Sequence, residues 1–336
     1  MPWFMNGKNF PCSLIKVMCN IDHFISLFQS IRFISNDSDG TLFKFYPKKI
    51  ALFLIVFAFL FLPTIDALAK LLGDSISAGQ IAWSRFLIQT ILMCPIFFWG
   101  LRKHKTQKIF LQFMRGVLIA CTTVLIFASV KFMPLAEVIA IFFIEPLLVT
   151  MLSAIVLGER LGWKRLAATT IGFFGALVVV QPNYKLLGLL SLLPFLAALS
   201  FAFYMILTRK LSQLESAGVL QFNSGLSGLI FMSVMLATFS SFDIPMLEIK
   251  MPQNQEWILL VLIGVIATLG HFILAFASKY IEANILAPFQ YLEIIGATFL
   301  GFWLFGDFPA PAAWVGIMTI VLSGIYVFKK ETSMTT

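Results

Sequence analysis

Charge is what this chain has least of. Of its 336 residues only 12% are Asp, Glu, Lys or Arg, against 60% apolar, and mean hydropathy is +0.93. A soluble domain carries about 25% charged residues, so the composition excludes an ordinary water-soluble globule. Cysteine and histidine are also scarce. Cys12, Cys19, Cys94 and Cys121 share no short spacing, and two of them lie deep in apolar runs, which excludes a disulfide framework or a metal knuckle. With only His23, His104 and His271 besides, zinc chemistry has almost no ligands, and no cofactor is expected. The G-x-x-x-x-G-K-[ST] pattern is missing, so nothing here points to nucleotide hydrolysis.

What charge there is leans basic, with 24 Lys and Arg against 16 Asp and Glu. Nucleic-acid binding would need those cations gathered on one exposed face. They are dispersed between apolar blocks instead, as membrane-flanking residues are, so the expected partner is a lipid bilayer and not a nucleic acid.

A bilayer core of about 30 Å takes roughly 20 apolar helical residues. Blocks of that kind follow one another at 50–70, 79–100, 109–130, 134–157, 163–181, 186–207, 217–239, 257–278, 283–305 and 311–328. The expected fold class is an all-α polytopic membrane protein with ten transmembrane helices. Fifteen Lys and Arg fall in the terminal flanks and loops of one side, among them Arg102, Lys103, Arg160, Lys164, Arg165, Arg209 and Lys210. Only Lys70, Lys131, Lys185 and Lys250 fall on the other. By the positive-inside rule both termini are expected in the cytoplasm, with 329–336 as a cytoplasmic tail. Residues 1–46 mix acids and bases without an apolar core and small-residue cleavage site, so they read as a polar, poorly ordered N-terminal extension and not as a signal peptide.

An internal repeat shows at an offset of 148 residues. Ile144-Glu145-Pro146 followed by Leu157-Gly158-Glu159-Arg160 is echoed by Leu292-Glu293-Ile294 followed by Phe305-Gly306-Asp307-Phe308. Each half, 49–181 and 186–328, holds five blocks. An odd number obliges the second half to enter the membrane from the opposite side, which is the inverted-repeat plan of secondary transporters.

In Pro134-Leu135-Ala136, Leu157-Gly158-Glu159-Arg160-Leu161 and Gly172-Phe173-Phe174-Gly175-Ala176, residues 49–328 resemble the EamA-type family of the drug/metabolite transporter superfamily. The run from Ala287 to Glu293, followed by Phe305-Gly306-Asp307-Phe308-Pro309, is similar to a bacterial subgroup that includes S-adenosylmethionine uptake carriers. The resemblance implies a multi-pass protein of the bacterial inner membrane that moves a small polar metabolite by alternating access. Riboflavin, amino-acid and drug carriers share the pattern, so it leaves the substrate open. Coupling to protons and exchange against a counter-substrate are both compatible with it.

Ionised side chains within a bilayer are costly, so each asks for a reason. Glu145 and Glu293 lie about eleven and ten residues into their blocks, near the midplane at 1.5 Å per residue. They read as a proton- or cation-responsive pair at a substrate site, or as hydrogen bonds that lock helices. Pro146 and Pro288 remove backbone donors nearby and mark expected helix breaks. Arg85 can meet an anionic substrate group or pair with Glu145, Arg115 can serve an inner gate in the same way, and snorkelling explains either one. His271 can titrate or bond a neighbour. Tyr291 is the best placed of many aromatics to stack a ligand, beside Gln290. Asp66 and Lys70, four apart, read as a local ion pair, and Glu137 and Glu282 as acids favoured at helix starts. Small-residue seams at Ala168, Gly172 and Gly175 and at Gly264, Ala267 and Gly270 serve packing within the chain or a homodimer. A membrane enzyme and a non-transporting scaffold remain the competing classes. The first lacks a catalytic cluster, and the second has no need of paired intramembrane carboxylates.

Overall fold

The computed structural model describes residues 47–73, 75–101, 108–132, 135–160, 162–180, 189–239, 242, 244, 246–305 and 311–333. The N-terminal extension 1–46, the Gly306-Asp307 copy of the repeat and residues 334–336 of the tail lie outside them. Every apolar block is helical. In chain order the helices are α1 (Pro47–Phe61), α2 (Pro63–Leu72), α3 (Ala78–Leu101), α4 (Ile109–Phe132), α5 (Leu135–Phe142), α6 (Glu145–Leu157) and α7 (Trp163–Val180). They continue as α8 (Leu192–Ser212), α9 (Ala217–Phe239), α10 (Asn254–Tyr280), α11 (Ala283–Gln290), α12 (Glu293–Phe305) and α13 (Pro311–Ser333). There is no β-strand among the described residues. Among the described residues seven helical segments are long and apolar enough to cross a membrane by length and composition, and three shorter apolar helices accompany them: Glu145–Leu157, Leu166–Val178 and Trp314–Ser323.

Large apolar side chains stand outward, among them Phe53, Ile91, Ile155, Phe174, Val234, Val261, Phe299 and Met318. A water-soluble monomer does not expose apolar surface on that scale, whereas a lipid-facing bundle requires it.

Three helices are interrupted by a residue or two and then resume. α1 passes to α2 at Leu62, where Pro63 takes the first helical position and has no N–H to give. α5 passes to α6 through Phe143–Ile144, with Pro146 as the second residue of the new helix. α11 passes to α12 through Tyr291–Leu292. Pro146 therefore lies at an interruption as expected. Pro288 does not: it sits inside α11, three residues before the chain breaks its helical course. The missing N–H of Pro288 loosens the last turn of α11, and the tighter bond from Leu292 N–H to the Phe289 carbonyl (3.0 Å) marks where the helix ends.

The helix contacts form a matched set. α4 packs on α8 as α10 does on α1, α4 on α9 as α10 does on α3, and α6 on α8 as α12 does on α1 and α2. α3 with α9, α6 with α11, and α7 with α13 close the set. The tightest approaches are matched too. Gly116 on α4 is pressed against Ser224 and Ser227 of α9, where an added Cβ would stand 2.8 Å from the Ser224 carbonyl oxygen. Its counterpart 148 residues on, Gly264 on α10, is pressed against Ile88 of α3, 2.6 Å from the Ile88 Cβ. Only a missing side chain lets the backbones come this near.

Candidate functional site

A cavity of about 570 Å³ lies where the three interruptions meet. Its wall takes Leu62, Pro63 and Asp66 from the first interruption, Phe143 and Glu145 from the second, and Gln290 and Glu293 from the third. Arg85 of α3, Thr122 and Thr123 of α4, Phe201 of α8 and His271 of α10 complete it. The lining continues past Lys70 to Gly73, Ser77 and Met246, beside the connections α2–α3 and α9–α10.

Glu145 and Glu293 are each the first residue of the helix that follows an interruption. Unpaired backbone N–H groups and the positive end of the helix dipole favour an acid there. Glu145 is 2% exposed and its Oε1 accepts one hydrogen bond, from Gln290 Nε2 at 3.2 Å. The Gln290 Oε1 has no partner. This is the contact that ties the second interruption to the third, and Tyr291 doubles it. Leu147 N–H bonds the Ile144 carbonyl rather than continuing the α-helical register to Phe143. The Phe143 carbonyl instead accepts from the Tyr291 hydroxyl, at 3.3 Å.

Arg85 projects from α3 and is 5% exposed. Its Nη1 donates to Thr123 Oγ1 at 2.8 Å, and its Nη2 lies 3.2 Å from His271 Nε2. His271 Nδ1 is 3.0 Å from the Ala267 carbonyl, to which only an N–H can donate, so Nε2 presents a lone pair to the guanidinium. His271 thus holds Arg85 in place. The Arg85 Nε has no partner.

Of the residues singled out by sequence, Glu145, Glu293, Gln290, Arg85 and His271 come together around one space. Arg115 and Tyr291 do not line it. Arg115 is wholly buried between α4, α8 and α9 and spends its donors there, on Thr208 Oγ1 (2.7 Å), the Leu220 carbonyl (2.8 Å) and the Tyr204 hydroxyl (3.0 Å). Its guanidinium also lies over the Tyr204 ring, at 4.7 Å. This buried packing replaces the snorkelling or gating expected of it. Tyr291, also buried, is held edge-on by Phe143 and closely by Gly172, where an added Cβ would meet its Cδ2 at 2.5 Å. It is therefore a packing residue and no ligand platform. Asp66 and Lys70, read as a local pair, both line the cavity. The signal for them was Pro63, an interruption three residues ahead of an acid in an apolar run.

At the opposite end from Ser77 and Met246 the helices are cross-linked. Leu157-Gly158-Glu159 ends α6 with Gly158 in the left-handed conformation (φ 68°), the position that favours glycine. That turn carries the Glu159 carboxylate to the start of α11, where it accepts from the Ala283 and Asn284 N–H groups at 3.2 and 3.3 Å. Glu282 stands at the N-cap of α11, where an acid suits the helix dipole, while the side-chain bonds to the first N–H groups come from Glu159. Arg209 Nε bonds Glu159 at 3.1 Å, and its Nη1 donates to the Ser278 carbonyl at 2.6 Å. Gln213 Nε2 donates to the Lys279 carbonyl at 3.0 Å. None of these residues touches the cavity. The side chain of Glu137, the other acid placed at a helix start, lies outside the described residues.

A bundle of apolar helices with a lipid-compatible exterior and an interior cavity that carries several charged side chains on a largely apolar wall is the architecture of a membrane transport protein. Comparison with known sequences gives the family. The sequence model of the EamA-like transporter family matches the chain twice, over residues 49–181 and 187–329, and the chain belongs to that family. Among curated relatives, the S-adenosylmethionine uptake transporter of Rickettsia prowazekii (strain Madrid E) is 26% identical over 270 residues, covering 79% of this chain and 88% of that one. A riboflavin transporter of Brucella anthropi is 25% identical over 253 residues, covering 75% and 88%. One of Vibrio cholerae is 29% identical over 200 residues, covering 59% and 64%. A solved crystal structure, 18% identical, aligns with a TM-score of 0.67 over 81% of this chain and 94% of the other, a likeness of fold.

Proposed function

We propose that the chain is a ten-helix secondary carrier of the inner membrane, built as two inverted five-helix repeats, that moves a small polar metabolite by alternating access. The observation that carries this reading is the cavity at the meeting of the helix interruptions, with Glu145 and Glu293 in equivalent positions of the two halves. The double family match and the matched helix contacts support the repeats. Discontinuous helices that present their N-termini to a central cavity are how carriers build substrate sites.

With both termini cytoplasmic, the cavity reaches the outer face and the Glu159–Arg209 cross-link closes the inner one. Passage of a substrate then requires that cross-link to part while the cavity's outer rim closes. S-adenosylmethionine is the first substrate to test, on the strength of the relatives, with riboflavin second. Energy comes from an ion gradient or from exchange, since nothing in the chain resembles a nucleotide site.

The test is uptake of labelled S-adenosylmethionine into proteoliposomes, with and without a pH gradient or unlabelled substrate inside, for the wild type and Glu293→Gln. Saturable uptake that the variant loses supports substrate and site together. Uptake that the variant keeps makes Glu293 a packing residue and removes it from the site. If neither protein takes up S-adenosylmethionine but the wild type takes up riboflavin, the substrate assignment changes and the carrier reading stands.

A further inference from the structure

We propose that Arg85 is a carboxylate-binding subsite of the cavity, so that the ligand carries a carboxylate at one end and a cationic group at the other. The ligand part of this proposal rests on the carrier reading above. The state of Arg85 does not.

A guanidinium has five N–H donors. Arg85 spends two, on Thr123 Oγ1 and His271 Nε2, and its Nε finds no partner. Both acceptors are neutral and already committed. The Thr123 hydroxyl gives its own proton to the Ile119 carbonyl at 2.8 Å, and the His271 Nδ1 proton goes to Ala267. Among the described residues no carboxylate forms an ion pair with Arg85. The face of Phe86 lies 5.2 Å from the guanidinium carbon. Asp66 acts on the charge electrostatically without reaching it in an ion pair. A buried cation with no direct carboxylate partner is unfavourable, yet this one borders a space that a small molecule can enter.

The two bonds also orient it. Thr123 and His271 hold Nη1 and Nη2 from α4 and α10, which fixes the plane of the group and leaves the remaining Nη hydrogens for a two-pronged acceptor, while Nε is enclosed and unpartnered. A carboxylate matches that fork. Elsewhere on the wall the chemistry reverses: Glu145 and Glu293 are acids, and Asp66 stands within electrostatic reach of both Glu293 and Arg85. A cavity of about 570 Å³ falls within the usual range for small-molecule sites. An α-amino acid with an additional cationic centre satisfies both regions at once. Riboflavin, which has no carboxylate, leaves Arg85 without a direct anionic partner.

The experiment measures binding to the purified full-length protein in detergent, using matched pairs that differ only in the carboxylate: S-adenosylmethionine with its decarboxylated counterpart, and methionine with methioninamide. Riboflavin and inorganic phosphate are run beside them, on wild type, Arg85→Gln and Arg85→Lys. The wild type is expected to bind the carboxylate member of a pair about tenfold or more tightly, as a charged hydrogen-bonded pair predicts. Arg85→Gln should bind both members alike, and Arg85→Lys should keep part of the preference.

Equal binding of the pairs by the wild type overturns the subsite, as does a preference that survives in Arg85→Gln. Binding of neither pair, binding of riboflavin alone, or a phosphate affinity equal to that of the carboxylate ligands overturns it too. If Arg85→Gln does not fold, the wild-type preference and its partial retention in Arg85→Lys decide. Arg85-dependent binding without uptake in proteoliposomes would retire the carrier reading and leave the subsite standing.

Discussion

Two buried arginines, one on α3 and one on α4, show how differently one side chain can be used. Arg115 is wholly enclosed and meets two hydroxyls and a carbonyl from α8 and α9, so its donors knit three helices together. Arg85 is nearly as buried but meets two acceptors, keeps an unpartnered Nε, and borders open space. The same contrast separates whole regions. The Glu159–Arg209 end of the bundle is densely hydrogen-bonded, whereas the cavity keeps Arg85, the Gln290 Oε1 and several carboxylates with donors or acceptors to spare. An unpartnered polar atom is not by itself a ligand site, since the Gln221 amide is equally unpartnered away from the cavity; what sets Arg85 apart is that it borders the space as well.

The sharpest way to break the comparison is to truncate both arginines. Arg115→Ala strips a charged donor from Thr208, Tyr204 and the Leu220 carbonyl and should cost at least about 3 kcal/mol, read as a large fall in thermal unfolding temperature and in folded yield. Arg85→Ala removes two bonds but also a buried charge with no direct ion-pair partner, so its stability should stay within about 1 kcal/mol of wild type while uptake is lost. Equal destabilisation by the two would erase the distinction.

Next in size is Gly116→Ala. The new methyl meets the Ser224 carbonyl oxygen and Ser227, and forcing α4 from α9 should cost about 1–3 kcal/mol, with Gly264→Ala behaving alike if the halves are equivalent. Glu159→Ala should cost about 1–2 kcal/mol through loss of the α11 cap and of a largely buried ion pair. Its diagnostic effect is on access. A cysteine placed at Ser278, which is now fully buried, should react with a water-soluble maleimide faster in the Glu159→Ala background. An unchanged rate would mean that something other than this cross-link seals that end. Tyr291→Phe is the mildest, about 0.5–1.5 kcal/mol for one hydroxyl-to-carbonyl bond, measured by thermal unfolding.

The helices were legible in sequence because each is a long apolar run with basic flanks. The equivalence of Glu145 and Glu293 was legible because the repeat preserves its spacing. What escaped was whatever depends on contacts distant in the chain. Arg85 and Arg115 look alike in their blocks, and only partners such as Thr208, Leu220 and His271, 93 to 186 residues away, tell them apart. Gly158-Glu159 registered as a repeat marker, and its reach to α11 needed the left-handed turn to be seen in three dimensions. The interruption at Leu62 was written in Pro63, but Asp66 and Lys70 at helical spacing pointed to each other before they pointed to a cavity. Pro288 misplaced a break because a proline inside a short helix is tolerated when the neighbouring helices hold it.

The cap on α11 comes from a residue 124 positions earlier in the chain. Synthesis proceeds from the N-terminus, so Glu159 emerges and enters its place in the bilayer well before the N–H groups it serves have been made. Arg209, 50 residues after Glu159, is made before Ala283 and Asn284, so the ion pair is the contact of this cross-link whose two partners are available first, and the cap on α11 the one whose partners are available last.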